Sequence, residues 1–193
     1  MEAMTEASLT GRLLVASPVL GDPNFDRSVV LLVDHDEEGA LGVVLNRPTS
    51  VAVGAVVPAW GEYTTGPAQV FKGGPVGEDS ALALGALAPG RDTDHDEPDG
   101  FRRLFGTIGL VDLDAEPDDL AAQLRAIRVF AGYAGWGPGQ LEDELAEQAW
   151  FVVESLPGDA FVEEPGRLWR DVLRRQGGDL ALVATFPEDP SLN

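Results

Sequence analysis

The sequence predicts a single α+β domain, and three observations carry that prediction. Apolar runs of strand length recur along the 193 residues. Helix-like stretches with apolar residues four apart interrupt them. The two kinds interleave without a regular strand–helix–strand rhythm, which argues against a doubly wound sheet. The interior holds no internal repeat and no linker, and a hydrophobic content of 44% suffices for one core. The domain is expected to span 1–193, with its core at about 9–186 and a polar tail at 187–193.

The elements follow in order. Leu9–Ser17 (LTGRLLVAS) reads as a first strand and Pro18–Arg27 (PVLGDPNFDR) as a loop rich in turn residues. Ser28–Asp34 (SVVLLVD) and Ala40–Leu45 (ALGVVL) are apolar runs joined by HDEEG, the pattern of a β-hairpin. Both runs are nearly continuous in apolar residues, so both faces are expected to be covered. Pro48 holds Arg47 extended and ends the second strand. Val51–Tyr63 reads as ambiguous, with a short helix as one reading. Gln69–Lys72, Ser80–Leu84 and Arg102–Val111 read as strands, and Ala88–Gly100 between the last two as an exposed, acidic, mobile loop. Pro117–Arg125 is expected to be helical, with Pro117 in the first turn and Asp114 or Glu116 as cap. A strand at Ile127–Ala131, a helix at Pro138–Gln148 and a strand at Trp150–Glu154 come next. A third helix, Gly166–Gln176, is closed by Gly177 and Gly178. Leu180–Thr185 reads as a last short strand.

Composition limits the function. There is no cysteine, so disulfides, thiolate metal sites and cysteine nucleophiles are excluded. No run approaches the length of a membrane span, and the acidic start MEAMTEASLTGR is no secretory signal, so the chain is read as cytoplasmic with no membrane partner. The net charge is −20, from 33 acidic and 13 basic residues. Such a field repels nucleic acid and anionic membranes. Arg167, Arg170, Arg174 and Arg175 form a basic stripe on the third helix. They are read as partners of an acidic surface and not as a recognition helix, so direct nucleic-acid binding is not expected.

The stretch GYAGWGPGQLEDEL (Gly132–Leu145) is the most glycine-rich motif. A dinucleotide fingerprint needs G-x-G-x-x-G, but Gly139 stands one place early and Gln140 takes its position. A phosphate loop needs Lys where Pro138 stands. Glu142, Asp143 and Glu144 already complement the positive end of the following helix. The motif therefore reads as a strand-to-helix corner with Trp136 packed at it. DHDEEG (Asp34–Gly39) starts like a calcium loop, but Leu45 occupies the place of the bidentate Glu. His35 and His95, the only histidines, read as exposed turn residues among acids. No nucleophile elbow or zinc-binding helix motif is present, and no cofactor, metal or catalytic residue is assigned.

Pairing of the hairpin strands brings the cluster Asp22–Ser28 to the same end of the sheet as Asn46 and Arg47. Arg27 and Arg47 are there either to bind an anion or to hold loops through Asp22 and Asp26, the second role being favoured.

Taken together, ASPVLGDPNFDRSVVLLVDHDEEGALGVVLNRP (Ala16–Pro48), FKGGPV (Phe71–Val76) and GYAGWGPGQLEDEL with Trp150 resemble the YqgE/AlgH family of bacterial proteins, over about Gly11 to Phe186. The resemblance implies a mixed, strongly bent sheet with about three flanking helices. It implies no catalytic chemistry, and one branch of the family carries the name of a transcriptional regulator of alginate production. Two functions are expected to compete. One is a non-enzymatic regulatory or interaction protein acting through a protein partner. The other is a small-molecule binder or enzyme with a cleft lined by Arg27, Asn46, Arg47, Gly73, Gly74, Trp136 and Gln140.

Overall fold

Alternate side chains of the strands go to opposite faces of one curled sheet. The computed structural model describes residues 7–90 and 97–188, so His95 and part of the expected 88–100 loop lie outside the described residues. The strands are β1 (Arg12–Ala16), β2 (Val29–Asp36), β3 (Gly39–Val44), β4 (Pro48–Ala52), β5 (Gln69–Lys72), β6 (Val76–Leu87), β7 (Phe101–Phe105), β8 (Ile108–Val111), β9 (Leu124–Trp136) and β10 (Trp150–Glu154). Their order is β10-β1-β2-β3-β9-β6-β8-β7, with β5 parallel to β9 and β4 antiparallel to β5. The helices are α1 (Val53–Val56), α2 (Pro117–Ala121), α3 (Gln140–Ala146), α4 (Leu168–Gln176) and α5 (Gly178–Val183).

The sheet is strongly bent. In a flat sheet β1 and β7, six steps apart, would be separated by about 29 Å. Instead the Phe105 ring of β7 packs on Gly11, just before β1, so close that a Cβ added there would lie 3.0 Å from it. The inner face holds Leu13, Val15, Leu31, Val43, Leu84 and Phe130; α4 covers it through Trp169, Val172 and Leu173, and α5 through Leu180, Val183 and its C-cap Ala184. The outer face of β1–β3 is covered by α3 and the Pro18–Arg27 loop, through Leu141 and Phe25. The outer face of β6, β8 and β9 is covered by α1, α2 and Trp60. Both faces of the β2–β3 hairpin are therefore buried, as its continuous apolar runs require.

Several elements differ from the sequence reading. Leu180–Thr185 is no strand: its first residues belong to α5, where Leu180 and Val183, with Ala184 at the C-cap, turn one helical face to the core. Arg102–Val111 is not one strand but the hairpin β7–β8, turning at Gly106. Pro48 starts β4 instead of merely ending β3, and β4 is an edge strand, where a missing N–H is tolerated. The helix at Pro117 ends by Ala121, capped by no side chain, because Leu124 already enters β9.

The largest difference concerns GYAGW. It is not a corner but the last third of β9, a strand of 13 residues. Gly132 has φ +73, and a Cβ on it would lie 2.6 Å from the Gly74 carbonyl oxygen. Gly74 has φ +155, and its Cβ would lie 2.1 Å from the Tyr133 carbonyl carbon. The glycines of FKGGPV and GYAGW thus let two backbones cross in contact, which no side chain permits. The corner proper is Gly137–Gly139, with Gly139 left-handed (φ +75) as N-cap of α3.

Candidate functional site

The loop between β1 and β2 ends on an unusual residue. Arg27 has φ +52, one of two non-glycine residues with positive φ among those described. Such a conformation is disfavoured by the order of 1 kcal/mol and persists only where the surroundings enforce it. Here Asn46 does so: its Nδ2 donates to the Arg27 carbonyl at 2.9 Å, and its Oδ1 accepts from the Val29 N–H at 3.0 Å. The Arg27 guanidinium is thereby laid over the Trp169 ring of α4, 4.5 Å from its centroid. Its Nη2 donates to the carbonyls of Phe186 and Pro187 at 2.9 and 2.5 Å. Trp169 is itself fixed, its indole N–H donating to the Ala16 carbonyl at 2.9 Å.

These contacts wall a cleft of about 560 Å³. Ala16, Pro18, Trp169 and Phe186 supply apolar walls, and Asp26 and Glu188 stand with Arg27 at its polar margin. A cleft of this size, apolar with a few placed charges, can take a small molecule or the anchor side chains of a partner segment.

The structure brings Arg27, Asn46 and Arg47 to one end of the hairpin. Arg47 donates to the Asp26 carbonyl, so neither arginine pairs with the carboxylates of Asp22 or Asp26 as the sequence suggested. Arg47 and Gly74 line a separate hollow of about 240 Å³ with Asn24 and Lys72. Gly73 is buried, and its carbonyl accepts from the Val44 N–H at 2.8 Å. Trp136 pairs with Ala40 near the opposite end of the hairpin, and Gln140 lies beside it on α3. The seven residues are thus distributed over several places and do not line one cleft.

A family model described as AlgH-like matches residues 13–181. The chain belongs to the AlgH-like family. It is 63% identical to a UPF0301 protein of Streptomyces coelicolor and 50% identical to one of Thermobifida fusca, with 100% of each chain covered in both comparisons. Among solved structures, a protein from Corynebacterium diphtheriae is similar at a TM-score of 0.84 and 37% identity, over 96% of this chain and 95% of that one. The AlgH protein of Pseudomonas aeruginosa is similar at 0.66 and 27%, over 98% and 100%.

In this AlgH-like chain two of the acids that open α3, Glu142 and Glu144, have specific partners. Glu144 Oε2 accepts from the indole N–H groups of Trp136 and Trp150 at 2.9 and 2.8 Å, and Gln140 donates to its other oxygen at 3.1 Å. Phe25 lies against both indoles. Glu142 accepts from His35 Nε2 at 2.7 Å, while His35 Nδ1 accepts from the Leu9 N–H at 2.9 Å. That pair of bonds defines the neutral Nε2–H tautomer. The bond from His35 holds the Glu142 carboxyl below the usual glutamate range. His35 is therefore a buried, bonded residue and not the exposed turn histidine expected.

The basic stripe on α4 is met by acids throughout. Arg167 reaches Glu164 and Asp171, Arg170 reaches Glu188, Arg174 reaches Asp171, and Arg175 grips Asp159 with two bonds of 2.7 Å. Among the described residues no three acidic, His or Cys side chains form a metal-binding group, and no helix is long and apolar enough to cross a membrane.

Sequence reasoning missed Trp169 and Phe186 as partners of Arg27. Trp169 was legible only as a core residue of an amphipathic helix. Its approach to Arg27 spans more than a hundred residues of chain, for which the sequence carries no signal.

Proposed function

We propose that this AlgH-like chain is a non-catalytic interaction protein with a regulatory role, and that the Arg27–Trp169 cleft receives a segment of a protein partner. One observation carries the reading: a strained Arg27, oriented by Asn46 and stacked on Trp169, opens into a cleft flanked by exposed apolar side chains. Phe186, on the cleft wall, is 50% exposed, and Val19, next to the lining residue Pro18, is 72% exposed. Large apolar side chains grouped at the mouth of a cleft are a feature of interaction sites. With Asp26 and Glu188 at its margin and a net charge of −20, the cleft suits a segment with an apolar anchor and basic flanks. Any influence on transcription would then pass through that partner, since the α4 arginines already face carboxylates.

The test is quantitative co-purification from native lysate with the wild type and with Val19→Asp and Phe186→Asp. The reading expects a stoichiometric partner that both variants lose at unchanged thermal stability. Retention of the same partner by both variants, or a low-salt gel shift showing direct DNA binding, overturns it.

A further inference from the structure

Among the described residues the strand pairing is interrupted at five places, and three of them converge on one end of the curled sheet. They fall between Leu32 and Asp34 on β2, between Val76 and Ala81 on β6, and between Arg103 and Phe105 on β7. Residues of all three interruptions line a single cavity of about 590 Å³. Bulges gather at barrel rims and beside binding sites, where the extra residue re-aims a side chain.

The β2 bulge shows that re-aiming clearly. Leu31 and Val33 face the inner core and Leu32 the outer one. Strict alternation would send Asp34 outward and His35 inward. With the extra residue opposite Leu41, Asp34 joins Val33 on the cavity wall, and His35 goes to Glu142 on the other face. A carboxylate is thereby set against an apolar floor made by Val33, Leu41, Leu82, Leu104 and Leu110. From the other side comes Arg102, which pairs across the β7–β8 hairpin with the lining residue Leu110. Neither side chain has a hydrogen-bond or ion-pair partner among the described residues, although both line the same cavity.

We infer that this cavity binds a small zwitterion with an apolar body, of the free amino-acid class. Arg102 donates to the carboxylate through its guanidinium fork, Asp34 accepts from the ammonium group, and the leucine floor takes the side chain. An acid and a base left apart over one apolar surface are complementary to a ligand that carries both charges. The volume is in the range of small-molecule sites at the mouths of curled sheets.

The experiment is a thermal-shift and calorimetric titration of the full chain with leucine, phenylalanine, glycine, 3-phenylpropanoate and 2-phenylethylamine, each to about 10 mM, where a binder of millimolar affinity already raises the melting temperature. Leucine or phenylalanine is expected to stabilise the protein. Glycine, lacking the apolar body, and the two analogues, each lacking one charge, are expected to bind at least about tenfold more weakly. Arg102→Ala and Asp34→Asn, both at exposed positions, are expected to melt as the wild type does without ligand and to weaken binding by about tenfold or more. No shift with leucine or phenylalanine, equal binding of a singly charged analogue, or undiminished binding by both variants overturns the inference. Phe186→Asp lies in the other cleft and is expected to bind the amino acid normally, which separates this site from the proposed partner cleft.

Discussion

Arg128 on β9 is 1% exposed and has no carboxylate partner among the described residues. Its guanidinium is solvated by the chain itself: Nη1 donates to the carbonyls of Ala160 and Val162 at 3.3 and 2.9 Å, and Nη2 to that of Gly66 at 2.6 Å. Phe71 lies under it, 4.3 Å from ring centroid to guanidinium carbon, and Nε has no partner among the described residues. Burial lowers its pKa to about 10, so the group stays charged at neutral pH. At about 1.4 kcal/mol per unit, that lowering corresponds to a desolvation cost of roughly 3 kcal/mol. Against it stand three charged hydrogen bonds at about 1.5–3 kcal/mol each, which together exceed the cost.

Replacement by Met keeps the volume and apolar stem, removes the desolvation cost and leaves three carbonyls unpaired. The expected net loss for Arg128→Met is about 3 kcal/mol, since each orphaned carbonyl costs about 1–3 kcal/mol. In a domain of this size that lowers Tm by about 6–12 °C. Arg128→Lys keeps the charge without the planar fork, and its loss is expected to be no smaller. The assay is urea and thermal unfolding of the three proteins side by side. If Arg128→Met melts at or above the wild type, the reasoning is refuted: the buried charge is then a net cost, as in buried ion pairs that apolar residues replace with gain.

Further outcomes follow from the same structure. Glu144→Ala strips the acceptor from two indole N–H groups, so a loss of about 2–3 kcal/mol and a changed tryptophan emission are expected; unchanged emission would show that the bonds do not persist in solution. Gly132→Ala meets both a positive φ and the Gly74 carbonyl, and is expected to cost about 2–4 kcal/mol by chemical unfolding. Because the Glu142 carboxyl titrates lower when folded, its contribution is present above the unfolded glutamate range and is lost as pH falls through the folded value. Glu142→Gln should therefore flatten the acid limb of the stability–pH curve by no more than about 1 kcal/mol, the side chain being partly exposed; equal limbs would exclude the contribution. Asp159→Asn weakens the double bond from Arg175 at a buried carboxylate and should lower stability by about 1–3 kcal/mol in the same measurements.

The runs 28–34 and 40–45 were legible as strands because a run that is apolar on both faces has few alternatives to a covered hairpin. The motifs GYAGW and FKGGPV were legible as family marks, but the glycines of GYAGW were misread as a corner. Glycine signals an unusual backbone, yet a sequence does not distinguish a turn from a strand that another backbone touches. LALVAT failed for a related reason. It is too short for its period to be measured, and contact with α4 decides that it is helical.

What the sequence by itself determined was the class of the domain, the hairpin, the acidic charge and the family, all of which depend on local pattern or on composition. The tertiary structure alone decided the placement of charge. One extra residue in β2 reverses the faces of Asp34 and His35, and no pattern of apolar residues encodes it, because the bulge exists only relative to the strand beside it. Arg128, Glu144 and the Arg27–Trp169 cleft follow the same rule. Their partners come from distant parts of the chain, and a polar side chain acquires its role only when the fold takes water away and supplies the groups that replace it.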